Sequence, residues 1–172
     1  MKKIIFILIL IFQFTNVFSQ TSTWQWALNA GNNEDDRGNG IATDSNGNVY
    51  STGSFASSNI TFGTYTLTNN SYYSGYILKQ DTLGNVIWAK CITGTSNNNV
   101  GCGDICTDSN GNIYVVGTFQ GIVNFEGVTL TANGISDIFI IKYDSNGNQI
   151  FVKQSSNSYL NSVGQKIFVD NN

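Results

Sequence analysis

The chain has 172 residues, enough for one domain of ordinary size. Apolar residues make up 41% and charged residues only 11%, with Asn, Ser, Thr and Gly in place of the Glu, Lys and Arg that coat solvent-facing helices. Eight basic against eleven acidic residues give a net charge of −3 with no basic cluster, which argues against nucleic acid or anionic lipid as a partner.

The first element is a targeting segment. Lys2 and Lys3 precede an unbroken apolar run from Ile4 to Phe12, too short to span a bilayer comfortably. Val17 and Ser19 are small enough for the −3 and −1 positions of a signal peptidase site, giving cleavage before Gln20. Residues 1–19 are therefore expected to be a Sec signal peptide, with an uncleaved anchor as the alternative. The leader resembles those of Bacteroidota-type bacteria. Its removal leaves six basic residues against all eleven acidic ones, a net charge of −5, and no membrane span. Secretion or display on the outer cell surface is the expected location.

Residues 20–39 are expected to hold a closing strand around Trp24-Gln25-Trp26-Ala27-Leu28, then a loop with the one acidic cluster, Glu34-Asp35-Asp36. Two adjacent carboxylates could hold a cation or serve hydrolysis, so Asp35 and Asp36 are weak metal candidates. A solvated loop is the simpler reading.

A repeat of about 63 residues comes next. Asp44-Ser-Asn-Gly-Asn-Val-Tyr50 recurs as Asp108-Ser-Asn-Gly-Asn-Ile-Tyr114, and Lys79-Gln-Asp-Thr-Leu-Gly-Asn85 as Lys142-Tyr-Asp-Ser-Asn-Gly-Asn148. Trp26, Trp88 and Phe151 share one place in it. Within a unit the pattern is β. Strand A (Gly40 to Thr43), strand B (Asn48 to Phe55), strand C (Tyr76 to Lys79) and strand D (Val86 to Cys91) are short and rich in β-branched and aromatic residues.

The turns carry one signature, Asp-x-x-Gly-Asn: Asp44, Gly47 and Asn48; Asp81, Gly84 and Asn85; Asp108, Gly111 and Asn112; Asp144, Gly147 and Asn148. The carboxylate caps the turn, Gly takes a positive φ, and Asn tolerates the backbone conformation after it. The long connection from Ala56 to Ser74 has room for an extra hairpin through Ile60-Thr-Phe62 and Thr64-Tyr-Thr66. The fold class predicted is all-β, with four-stranded antiparallel blades of a β-propeller. Blade repeats are expected at 40–101 and 102–163, with a third beginning at 164–172. Rings need about four to eight blades, so the expectation is a fragment of a longer ring whose missing blades are the natural partner.

Taken together, the Asp-Ser-Asn-Gly-Asn-(Val/Ile)-Tyr-x-x-Gly-x-Phe pattern, the Asp-Ile-Phe-Ile-Ile-Lys-Tyr-Asp run at 137–144 and Trp88-Ala-Lys90 resemble the bacterial SBBP repeat, a seven-bladed β-propeller family. The resemblance covers Trp26 to Asn172 and implies a large exported or surface protein, often with adhesive domains, without implying a ligand.

Asp-Ser-Asn-Gly-Asn also looks like the start of a calcium loop, but its Gly stands at position 4, and Phe55 and Phe119 occupy position 12 where a Glu is needed. Cys102 and Cys106 are too far apart along one strand to bridge. Cys91 could pair with either, or all three could be small buried residues. There is no His, hence no Ser-His-Asp triad, and neither a cofactor nor an enzymatic activity is expected. Recurrence makes Trp26 and Trp88 core between blades. Trp24, Tyr72 and Tyr73 do not recur and are the candidate ligand-binding residues, for a protein or carbohydrate. The function expected is a surface binding or adhesion module. A structural spacer is the alternative, and a polysaccharide-active enzyme with its catalytic residues elsewhere is a more remote one.

Overall fold

Four strands, β1 (Asp36–Thr43), β2 (Val49–Phe55), β5 (Ser74–Gln80) and β6 (Val86–Gly94), form an antiparallel meander in that spatial order. A second meander is built from β7 (Val100–Thr107), β8 (Ile113–Phe119), β11 (Asp137–Tyr143) and β12 (Gln149–Gln154). Each contains a hairpin between its second and third strands: β3 (Asn59–Phe62) with β4 (Tyr65–Thr68), and β9 (Ile122–Phe125) with β10 (Val128–Thr131). These are propeller-type blades. The computed structural model describes residues 25–95, 97–155 and 161–170, and the described residues contain no helix.

The turns show why the repeat has its signature. Asp44 Oδ1 accepts the backbone N–H groups of Asn46 (2.9 Å) and Asn48 (3.0 Å), and Oδ2 accepts the Asn48 amide (2.8 Å) and the Tyr50 hydroxyl (2.9 Å). Asp108 repeats all four bonds with Asn110, Asn112 and Tyr114. The Gly residues of the four turns lie at φ of 75 to 86°, a region L side chains enter only with strain. The carboxylates bind their own turns, so these segments act as capped hairpins.

The two blades share one core. Tyr50, Ile77 and Ile92 of the first blade pack with Phe119, Phe125, Phe139 and Ile141 of the second. The indole of Trp88 lies between Tyr50 (6.2 Å between ring centres) and Tyr143 (6.5 Å), against the Gly147 turn. Trp26 sits in the same way against the Gly84 turn and donates its Nε1–H to the Thr82 carbonyl (3.2 Å). The recurring tryptophans thus cover the turn of the following blade.

Several elements differ from the sequence reading. β1 begins at Asp36 and β7 at Val100, so both blades start earlier than 40 and 102. Gln25 to Leu28 lie outside any strand, and Trp24 lies outside the described residues, as does the leader. Residues 162–170 also form no strand. They are held by side chains of the second blade instead of a ladder: Thr118 Oγ1 accepts the Gly164 N–H (2.9 Å) and Asp104 Oδ2 accepts that of Ile167 (3.2 Å). The hairpin expected from the long connection is present as β3–β4. Its counterpart does something the sequence did not announce: β9 pairs with the outer strand of the first blade, Asn124 opposite Thr93 and Val123 opposite Gly94.

Candidate functional site

The long connection that carries β3 and β4 ends in Tyr72 and Tyr73, just before β5. Their backbone is fixed by the segment entering the second blade. Tyr72 donates its N–H to the Asn98 carbonyl (3.1 Å), and the Tyr73 carbonyl accepts the N–H of Val100 (3.0 Å). A parallel bridge joins Tyr73 and Asn99. The same backbone bridge recurs as Ser136 with Asn161, but the side chains there are Ile135 and Ser136. The tyrosine pair therefore belongs to the first blade alone.

The Tyr73 hydroxyl donates to Asp35 Oδ2 (2.8 Å), on the loop before β1. Arg37 donates through Nε to Asp35 Oδ1 (2.9 Å) and through Nη2 to Oδ2, and its guanidinium lies 5.8 Å from the centre of the Tyr73 ring. These bonds, Arg37 first and Tyr73 second, hold the Asp35 carboxyl below the usual carboxylate range, and the bond to Asp35 in turn raises the Tyr73 phenol. Tyr72 meets Tyr73 edge-on, 5.3 Å between ring centres at 75°, and keeps 64% of its surface exposed. A groove of about 480 Å³ runs along the pair, lined also by Glu34, Asn70, Ser71 and Asn97.

Of the residues singled out in the sequence, the structure brings Tyr72, Tyr73 and Asp35 together. Asp36 points into other work: its Oδ2 accepts the Asn32 N–H (2.8 Å) and the Ser57 hydroxyl (2.8 Å), and Oδ1 accepts the Ser57 N–H (3.2 Å). It fixes the loop. Neither acid gathers metal ligands, and among the described residues no group of three or more Asp, Glu, Cys or His side chains is placed to hold an ion.

Arg37 was missed. It is the single arginine of the chain, and its place beside the acidic cluster was the signal. Cys91, Cys102 and Cys106 are all free thiols, and burial pushes Cys91 up to about 11 and Cys102 up to about 12.

A family model described as a beta-propeller repeat matches residues 25–54, the segment holding β1, its turn and most of β2. An uncharacterized WD repeat-containing protein of Acanthamoeba polyphaga mimivirus is 36% identical over 149 residues, covering 77% of this chain and 10% of that protein. The chain thus spans about a tenth of the length of this relative.

Proposed function

We propose that this chain is an exported β-propeller repeat module that binds a ligand on the loop face of its first blade, in the groove of Tyr72 and Tyr73. One observation carries the reading. Tyr73 is locked by Asp35 and Arg37, and its backbone by Val100, so it holds the 64%-exposed Tyr72 ring out over a preformed polar groove. Tyrosine is enriched among the residues that anchor binding, and polar groups placed beside it fix a ligand's orientation. The likeness to beta-propeller and WD repeats supports a repeat module.

The module is a binder and not a catalyst on this reading, because Asp35 commits both oxygens to Arg37 and Tyr73 and is no free base. Export rests on Lys2, Lys3 and the Ile4 to Phe12 run. Further blades of the same type are the other partner proposed. Ile41 on β1 is 72% exposed, whereas Ile105, at the matching place on β7, is covered by the first blade and 3% exposed. A neighbouring blade in front of β1 would cover Ile41 likewise.

The test is a screen of the full chain, with its Tyr72→Ala variant, against glycan and protein arrays. The expected result is binding that the variant loses while its melting transition is unchanged. Binding that ignores Tyr72 overturns this site, and no binding at all favours the structural-spacer reading.

A further inference from the structure

Resting on that binding reading, we infer that the ligand is an uncharged, hydroxyl-rich oligosaccharide. It occupies two adjoining subsites: the Tyr72–Tyr73 groove and a cleft between the blades lined by Asn99 and Gln120.

Tyr73 lines both spaces. On one side is the groove of about 480 Å³, and on the other a cleft of about 220 Å³ bordered by Arg37, Ser54, Asn99, Thr118, Gln120 and Ser136. Tyr73 is the one residue common to both linings, and a ligand that meets both spaces at it is extended and not compact.

The chemistry of the lining selects the class. Arg37 is neutralised by Asp35, and every other polar group bordering the cleft is a hydroxyl or an amide. In the groove the remaining charge is Glu34, which disfavours anionic sugars. Hydroxyls both donate and accept, as the amides of Asn70, Asn97, Asn99 and Gln120 do, and the apolar face of a pyranose ring suits the exposed Tyr72 ring.

Where they border the cleft, Asn99 and Gln120 hold each other in place, Asn99 Nδ2 donating to Gln120 Oε1 (3.0 Å), so the cleft carries fixed amides of the kind that hydrogen-bond sugar hydroxyls. A peptide added as a strand finds no open edge here, because the backbone groups of Tyr72, Tyr73, Asn98 and Val100 are already joined to one another.

The experiment is calorimetric titration of the full chain with glucose, cellotriose, maltotriose, xylotriose and mannotriose, with trigalacturonate as the charged control. At least one neutral trisaccharide is expected to bind at least about tenfold more tightly than glucose and trigalacturonate. Tyr72→Ala should abolish binding. Asn99→Leu and Gln120→Ala, each checked for an unchanged melt, should weaken the trisaccharide about tenfold. Trisaccharide binding lost with Tyr72→Ala but unmoved by both cleft variants overturns the second subsite. Preference for trigalacturonate, or Tyr72-dependent binding of a protein with no sugar bound, overturns the ligand class and leaves the binding module standing. If nothing in this set or on the arrays depends on Tyr72, both readings fall.

Discussion

Gly75 on β5 and Cys102 on β7 meet so closely that a Cβ on Gly75 would stand 2.8 Å from the Cys102 Sγ. At the matching place one blade later the sizes are exchanged. The small residue there is Gly164, where a Cβ would come 3.0 Å from Cγ2 of Ile138. The inner chain of each blade thus nests against the third strand of the blade before it. Either partner can supply the bulk, provided the other gives it up.

That exchange is testable with a double-mutant cycle. Gly75→Ala should destabilise the fold by about 1–3 kcal/mol through overpacking. Cys102→Gly should also destabilise it, by removing a buried side chain and loosening the strand. The double variant should recover about 1 kcal/mol or more of the summed loss. Urea denaturation of the four proteins measures this, and strict additivity would show that the two residues do not share one space.

The turn glycines differ in a way that backbone strain alone does not capture. Gly111 and Gly147 have similar φ, 75 and 86°, but a Cβ on Gly111 meets only Ser145 Cβ at 3.6 Å, whereas one on Gly147 meets Trp88 at 3.1 Å. Alanine at either site should cost about 1–2 kcal/mol for the left-handed backbone. Gly147→Ala should cost more, and should also shift the tryptophan fluorescence, which Gly111→Ala should leave alone.

Acid should weaken both B-strand turns. For Asp44 and Asp108, burial works to raise the pKa, but the hydrogen bonds from Asn48 and Tyr50, and from Asn112 and Tyr114, outweigh it, so both carboxyls are lowered. A lowered folded value means that the stabilisation is complete above the ordinary Asp value of 3.8 and is lost as pH falls through the folded value. Each carboxylate should contribute about 1 kcal/mol at neutral pH, solvent screening included. The doubly substituted Asp44→Asn, Asp108→Asn protein should be less stable at pH 7 and should lose less on going from pH 5 to pH 2 than the unsubstituted chain does, as thermal melts across that range would show.

Tyr73 and Asp35 make a second titration prediction. The phenol is raised by its bond to the Asp35 carboxylate, with smaller contributions from partial burial and the carboxylate's charge. Alkaline difference absorbance should show one tyrosine ionising at lower pH in Asp35→Asn than in the unsubstituted chain. Tyr73→Phe should abolish that difference. The Tyr72–Tyr73 groove should otherwise keep its form from mildly acid to mildly alkaline pH, because both shifts move ionisation away from neutrality.

Much of this protein was legible in its sequence, and for a local reason. The Asp-x-x-Gly-Asn turns close on themselves within five residues, through Asp44 with Asn46 and Asn48, so residue identity alone dictates them. The β periodicity between them, the extra hairpin and the recurrence of Trp26 and Trp88 came from the same short-range rules. The pair Tyr72 and Tyr73 stood out by failing to recur.

Contacts between segments distant in sequence were decided only by the tertiary structure. Asp35 and Asp36 are neighbours with the same side chain, yet the fold brings one to Arg37 and Tyr73 and the other to Asn32 and Ser57. No local pattern distinguishes them. The β9–β10 hairpin joins the first blade rather than the four-stranded meander of its own because the outer edge of β6 is open at Thr93 and Gly94, and an open edge takes whatever strand the packing brings to it. Whether Gly75 or Cys102 carries the bulk is set by a residue on another strand. Turns and strand periods are properties of a few consecutive residues, whereas side-chain partners and filled volume depend on which surfaces the fold presses together.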